Sequence, residues 1–152
     1  METPRIPTTS PIEDFSHGII RYTIEDGKII VIQSEGYMAH AAVDAWAAAI
    51  HKTFTTPAQP HIFALYDMSH PRQGVTPYGM KKGEETYTYL SPDHKAYVAI
   101  IFPNTILFRM AANFLQMIGR KRKNVEARLF THHDLALTWL RTHLREVENN
   151  GI

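Results

Sequence analysis

Residues 96–102 read AYVAIIF, an apolar run with no polar position in it, and a strand with one wet face cannot be built from such a run. The stretch therefore predicts a central strand of a parallel sheet, covered on both faces. Pro103 ends the ladder because it has no N–H, and Asn104 or Thr105 can cap a helix that follows. In that helix Leu107, Met110, Ala111, Phe114, Met117 and Ile118 recur at helical spacing and form the stripe expected to lie on the sheet. Arg109, Asn113, Gln116 and Arg120 form the opposite, polar stripe. Ile106, Phe108, Ala112 and Leu115 fall between the two. Such flanks either widen the contact with the core or offer an apolar surface to a second subunit or a partner.

The rest of the chain supplies partners for that central unit. Pro4, Pro7 and Pro11 stand among Thr, Ser and charged residues, so residues 1–16 are read as a flexible arm and residues 17–148 as a single domain. Ile19 to Glu25 and Lys28 to Gln33 are rich in Ile, Val, Thr and Tyr. Asp26-Gly27 between them supplies the positive φ angles of a two-residue hairpin turn. A helix from about Met38 to Phe54 carries Ala39, Val43, Trp46, Ile50 and Phe54 on one face, and His61 to Asp67 is a second largely apolar strand. Thr76-Pro77 reads as an N-cap with proline in the first turn of a shorter helix, with Met80, Gly83, Tyr87 and Leu90 on one face. Val125 to Thr131 is an outer strand. Thr131 and Asp134 resemble a capping box opening a last helix with Ala136, Leu137, Leu140, Leu144 and Val147 inward. The order is β-β-α-β-α-β-α-β-α, an α/β domain with a mixed, mostly parallel five-stranded sheet and flanking helices.

At 152 residues one such domain buries enough surface to fold without staples, and with no cysteine it has neither disulfides nor thiolate metal sites. The absence of a secretory signal or a transmembrane-length apolar segment points to the cytoplasm and excludes membrane insertion. A net charge of +1 says little about partners.

Nine histidines raise the idea of a metal, but no pair has the His-x-x-x-His or His-Glu-x-x-His spacing that sets two imidazoles on one helical face. His40 and Asp44 share a face, with His51 farther along it, and that face is otherwise solvated. No serine sits in a Gly-x-Ser-x-Gly elbow. The best catalytic-looking cluster is Asp67, Ser69 and His70 at the carboxyl end of a strand, where open α/β sheets place ligands. Gly74 and Gly79 lie near a helix start, without a phosphate-binding fingerprint. The run Arg120-Lys121-Arg122-Lys123 complements the dipole at a helix end and has no interleaved aromatics, so it is read as a solvated terminus and not a nucleic-acid groove.

Three stretches, KAYVAIIFP, VEARLFTHHDLALTWL and KIIVIQSEGYM, resemble the STAS and SpoIIAA-like superfamily, which includes bacterial anti-sigma factor antagonists. The strand ending in Phe130, the acidic turn at Asp134, and Ala136, Trp139 and Leu140 carry most of the likeness, which spans about Ile19 to Leu144. The resemblance implies a non-enzymatic module with no cofactor, acting by protein docking or by holding a small ligand. It also implies a switch hydroxyl at the start of the helix after the middle strand, where this chain has Thr76, with Ser69 earlier in the loop. The family's acidic-Ser-Ser-Gly core is replaced here by Gly74-Val75-Thr76-Pro77-Tyr78-Gly79. Pro77 removes a donor that a phosphate would use, which favours Thr76 as an ordinary cap.

The function expected is a regulatory or protein-interaction module, self-associating through Ile106, Phe108, Ala112 and Leu115. The alternative is a carrier or sensor of a small apolar ligand such as a lipid, with Tyr78, Met80, Tyr87 and Tyr89 lining its pocket.

Overall fold

In the computed structural model the chain is described at residues 10–36, 38–70, 76–103 and 106–150, the side chains of Ile106 and Leu107 excepted. The expected cap at Asn104 or Thr105, Gly74 of the loop, and most of the N-terminal arm lie outside the described residues. Six strands form one sheet in the order in which the chain makes them. β1 (Glu13–Asp14), β2 (Ile19–Ile24) and β3 (Ile29–Ser34) are antiparallel neighbours, and β4 (His61–Asp67), β5 (Lys95–Ile101) and β6 (Val125–Phe130) follow β3 in parallel. Helices α1 (His40–Thr55), α2 (Pro77–Thr86) and α3 (Ile106–Lys121) connect the parallel strands, and α4 (His133–Asn149) closes the chain. One turn of 3-10 helix, Tyr87–Tyr89, extends α2.

The α/β class and the mixed, mostly parallel sheet are as expected, with six strands where five were read. The additional strand, β1, falls inside the segment assigned to the flexible arm. Glu13 pairs with Arg21 and Asp14 with Ile20. The Arg21 guanidinium then spans 3.3 Å to Glu13 and donates through Nε to the buried Thr53 hydroxyl at 2.9 Å, while Lys52 Nζ stands 2.9 Å from Glu13. Burial pushes the Glu13 carboxyl up, but the Lys52 hydrogen bond and the Arg21 charge outweigh it and hold it below its usual value. Two residues just after Pro11 carry no periodic signal, and what orders them is an arginine on the next strand.

In the β2–β3 hairpin the strands end at the Ile24–Ile29 pair, and Glu25, Asp26 and Gly27 take φ of 53°, 57° and 82° while Lys28 N–H donates to the Glu25 carbonyl at 3.2 Å, so the expected two-residue turn lies inside a four-residue connection.

Alternation along β4 and β5 explains the unbroken apolar run. Ile62, Ala64, Tyr66, Ala96, Val98 and Ile100 point into one core, under α1, α2 and α3. Phe63, Leu65, Tyr97, Ala99 and Ile101 point into a second core, under α4. Parallel strands added in one direction through crossovers of one hand put their helices on one face. α4, after β6, covers the other face. It is tied down along its length, with Arg141 bonded to Glu25 at 2.7 Å and Lys28 to Glu148 at 2.7 Å.

Two details differ from expectation. On α3 the inward side is centred on Leu115 and Ile118, while Met110 is 48% exposed. Phe114 packs beside Gly83 of α2, while Met110, one turn before it on the same side of α3, stays exposed. Leu115, read as an interface residue, is a core residue. At the start of α4 the N-cap position is His132 and it makes no side-chain cap bond, so the Thr131 and Asp134 capping box is not formed. The helix begins one residue too late for Thr131 to reach its free N–H groups.

Candidate functional site

The carboxyl ends of the parallel strands and the first turns of α2 and α4 come together at one edge of the sheet. Asp67 ends β4 in register with Gln33 and Ile101, which directs it to the α4 side. There the Ser69 hydroxyl donates to Asp67 Oδ1 at 2.6 Å and the Ser69 N–H to the same oxygen at 3.1 Å. His133 Nε2, in the first turn of α4, lies 2.7 Å from Oδ2. Burial pushes the Asp67 carboxyl up. The hydrogen bonds from His133 and Ser69 and the His133 charge outweigh burial and hold it below the ordinary carboxylate value. The same carboxylate acts on Tyr22, whose phenol is pushed up to about 12, first by burial and then by the Asp67 charge.

Sequence reading placed Asp67 and Ser69 beside His70; the imidazole at the carboxylate is that of His133, 66 residues on. The arrangement also decides the chemistry. Nucleophilic catalysis by serine needs the imidazole between acid and hydroxyl, so that the base takes the proton. Here the carboxylate stands between the two and binds both. With its pKa held down, it is a poor acceptor for the Ser69 proton, so the cluster works as a clasp that fixes the start of α4 to the end of β4.

Thr76 is the N-cap of α2: its Oγ1 accepts from Gly79 N–H at 3.0 Å, and Pro77 opens the helix. Behind this turn lies an apolar cavity of about 100 Å³, walled by α1, α2, α3 and the sheet, with Trp46, Met80, Tyr87, Phe114 and Leu115 among its lining. Ligand pockets run from roughly 300 to 1,000 Å³, so this one has no room for a lipid. It also divides the expected pocket residues: Met80 and Tyr87 line it, while Tyr78 and Tyr89 lie outside, in the seam with α1. There the Tyr78 hydroxyl donates to the Asp44 carboxylate, a bond that together with partial burial pushes the phenol up to about 12. Tyr89 meets His51 edge to face. His40 and Asp44 are thus engaged with Tyr78, and among the described residues no three acidic or histidine side chains gather to hold a metal ion.

A wider surface groove of about 510 Å³ crosses the outer edge of the sheet. Phe108 from α3, Leu129 and Phe130 from β6, and Leu135 and Trp139 from α4 line it, and Leu135 is 56% exposed. Of the four residues expected at an interface, Phe108 reaches this groove, Ala112 is half-buried on the same helix, Leu115 is in the core, and the Ile106 side chain is outside the described residues. Leu135 and His133 were missed by sequence reading. Their signal is faint: one leucine off the buried stripe of α4, and one histidine whose partner lies on a distant strand. At the other end of α3, Lys121 pairs with Glu84 of α2 at 2.7 Å, and the Arg122 carbonyl accepts from Val125 N–H as the chain enters β6.

Neither a family model nor any curated protein sequence matches the chain. Among solved structures, the crystal structure of an anti-sigma factor antagonist from Mycobacterium paratuberculosis is similar over 92% of this chain and 99% of its own, with 20% identity and a TM-score of 0.49.

Proposed function

We propose that this chain is a non-enzymatic regulatory module that docks a protein partner at the carboxyl edge of its parallel sheet. The observation that carries this reading is Leu135, held exposed beside Phe108, Phe130 and Trp139 while the polar groups next to it are engaged with one another. An edge with its carboxylate clasped and its apolar side chains open suits a surface that binds and does no chemistry. The sequence resemblance to the SpoIIAA-like group agrees with it. No helix among the described residues is long and apolar enough to cross a membrane.

Two hydroxyls at this edge are candidates for a switch. A phosphate on Ser69 would replace a hydroxyl that donates to Asp67 with a dianion facing that carboxylate, and repulsion would open the clasp at His133. A phosphate on Thr76 would sit at the amino end of α2, where the dipole favours it but Pro77 supplies no N–H. Of the two, Ser69 changes the docking edge more.

The test is quantitative affinity capture from cells of the source organism with three baits: wild type, Leu135→Asp and Ser69→Glu. The expected result is one protein retained near one to one by wild type and reduced at least about tenfold by either variant, the far-ultraviolet circular dichroism being unchanged. Equal retention by wild type and Leu135→Asp, or turnover of a substrate by the purified chain, overturns the reading.

A further inference from the structure

The two edges of the sheet are unlike. One ends in β1, two acidic residues long and followed by left-handed Ser16, His17 and Gly18, a short and bent edge of the kind that blocks further pairing. The other ends in β6, six residues in regular register with β5. The Asn124 and Phe130 carbonyls accept from β5, at Ala96 and Phe102. Backbone groups alternate along a strand, so Glu126 and Arg128 also bond inward, and Ala127 and Leu129 turn their N–H and C=O to the open side.

Side chains on this edge alternate as well. Val125, Ala127 and Leu129 share the face under α3, whereas Glu126 and Arg128 are exposed on the α4 face. Arg128 lies over the Phe130 ring, and among the described residues neither Glu126 nor Arg128 makes an ion pair.

From this pattern we infer that β6 pairs antiparallel with β6 of a second copy of this chain, about a two-fold axis through Ala127. The occupant follows from charge and pleat together. A two-fold normal to the sheet keeps each face on its own side, so residues directly opposite must share a face and the axis must pass through a residue. Centred on Glu126, the pairing sets that carboxylate against itself; centred on Arg128, it sets two guanidinium groups together. Centred on Ala127, it places Glu126 opposite Arg128 of the second copy, twice, and Val125 opposite Leu129 on the other face. Ala127 then exchanges both its hydrogen bonds with its counterpart. The charged pairs fall at the non-hydrogen-bonded sites, where side chains approach most closely.

Helix α3 permits the approach. Ala112 and Gly119 lie on the same side as Phe108, at helical intervals, and a Cβ built at Gly119 would meet nothing within 4 Å. The pairing covers the β6 wall of the groove described above, formed by Arg128, Leu129 and Phe130, so a second copy and a protein partner would compete for that wall while Leu135 and Trp139 on α4 belong to the partner's side. The inference goes beyond that reading and does not depend on it.

The test is sedimentation equilibrium of full-length wild type, Glu126→Arg, Arg128→Glu, and an equimolar mixture of the two variants. The expected result is a wild-type dimer, a dissociation constant raised at least about tenfold in each variant alone, and recovery of the dimer in the mixture, where every facing pair is again of opposite charge. Recovery on mixing excludes misfolding as the cause of weakening in the single variants. A wild type that stays monomeric to about 100 µM overturns the inference, as do variants that dimerise as well as wild type or a mixture no tighter than its components. Retention of the partner in the capture experiment by a monomeric chain would leave the proposed function standing without the dimer.

Discussion

His133 and Asp67 meet at 2.7 Å, joining the first turn of α4 to the carboxyl end of β4 across 66 residues of sequence. Arg141 and Glu25 make the matching contact farther along the helix, against the hairpin. α4 is therefore clamped at two places over a core that its own Ala136, Leu137 and Leu140 fill.

The clasp makes part of the stability depend on acid. Because the Asp67 carboxyl is held below its ordinary value of 3.8, its contribution is fully present above that value and is lost as pH falls through the lower folded one. Asp67→Asn is expected to be less stable than wild type in urea at pH 7, with a difference that shrinks below about pH 4. His133→Ala loses about 1 kcal/mol at pH 7, reduced from the value for a fully buried charged bond because the imidazole is partly exposed. A difference between Asp67→Asn and wild type that is as large at pH 3 as at pH 7 contradicts the assignment.

The start of α2 gives a graded set of substitutions. Thr76→Ala removes the cap and is expected to cost about 1 kcal/mol, with Thr76→Ser restoring most of it. A Cβ at Gly83 would rest 3.5 Å from Phe114 and 3.6 Å from Trp46, ordinary contacts, so Gly83→Ala gains roughly 0.5–1 kcal/mol from helix propensity. At Gly79 the same atom would lie 3.2 Å from Thr76 Oγ1 and press on the cap, so Gly79→Ala gains less or loses. Thermal melts of the four variants rank them.

Leu115 and Met110 separate core from surface on α3. Leu115→Ala is expected to cost about 2–4 kcal/mol and Met110→Ala under about 0.5 kcal/mol. Urea midpoints at constant slope report both, and near-equal losses would mean the helix is rotated from the position described.

The Tyr66 hydroxyl is buried with no hydrogen-bond partner among the described residues, and burial raises its pKa well above the usual phenol value. Tyr66→Phe removes an unsatisfied polar group and keeps the ring that meets Trp46, so it is expected to stabilise the fold by about 1 kcal/mol. Chemical denaturation checks this, and a loss of stability would show that the hydroxyl has a partner in solution.

Sequence alone determined the elements whose signal is local. Ala96 to Phe102 had to be a strand covered on both faces, Asp26-Gly27 had to turn a hairpin, and Thr76-Pro77 had to open a helix, because each rests on covalent geometry or on periodicity within one segment. Tertiary structure decided what depends on distant partners. β1 is ordered by Arg21 and Lys52, Asp67 takes its histidine from α4 instead of from its own loop, and Leu115 is inward because of where α2 lies. The charge alternation of Glu126 and Arg128 was legible as letters. The alternation of Val125 to Thr131 already marked an outer strand; which of its backbone groups stay open, and on which face Glu126 and Arg128 stand beside them, followed only from the pairing of β6 with β5.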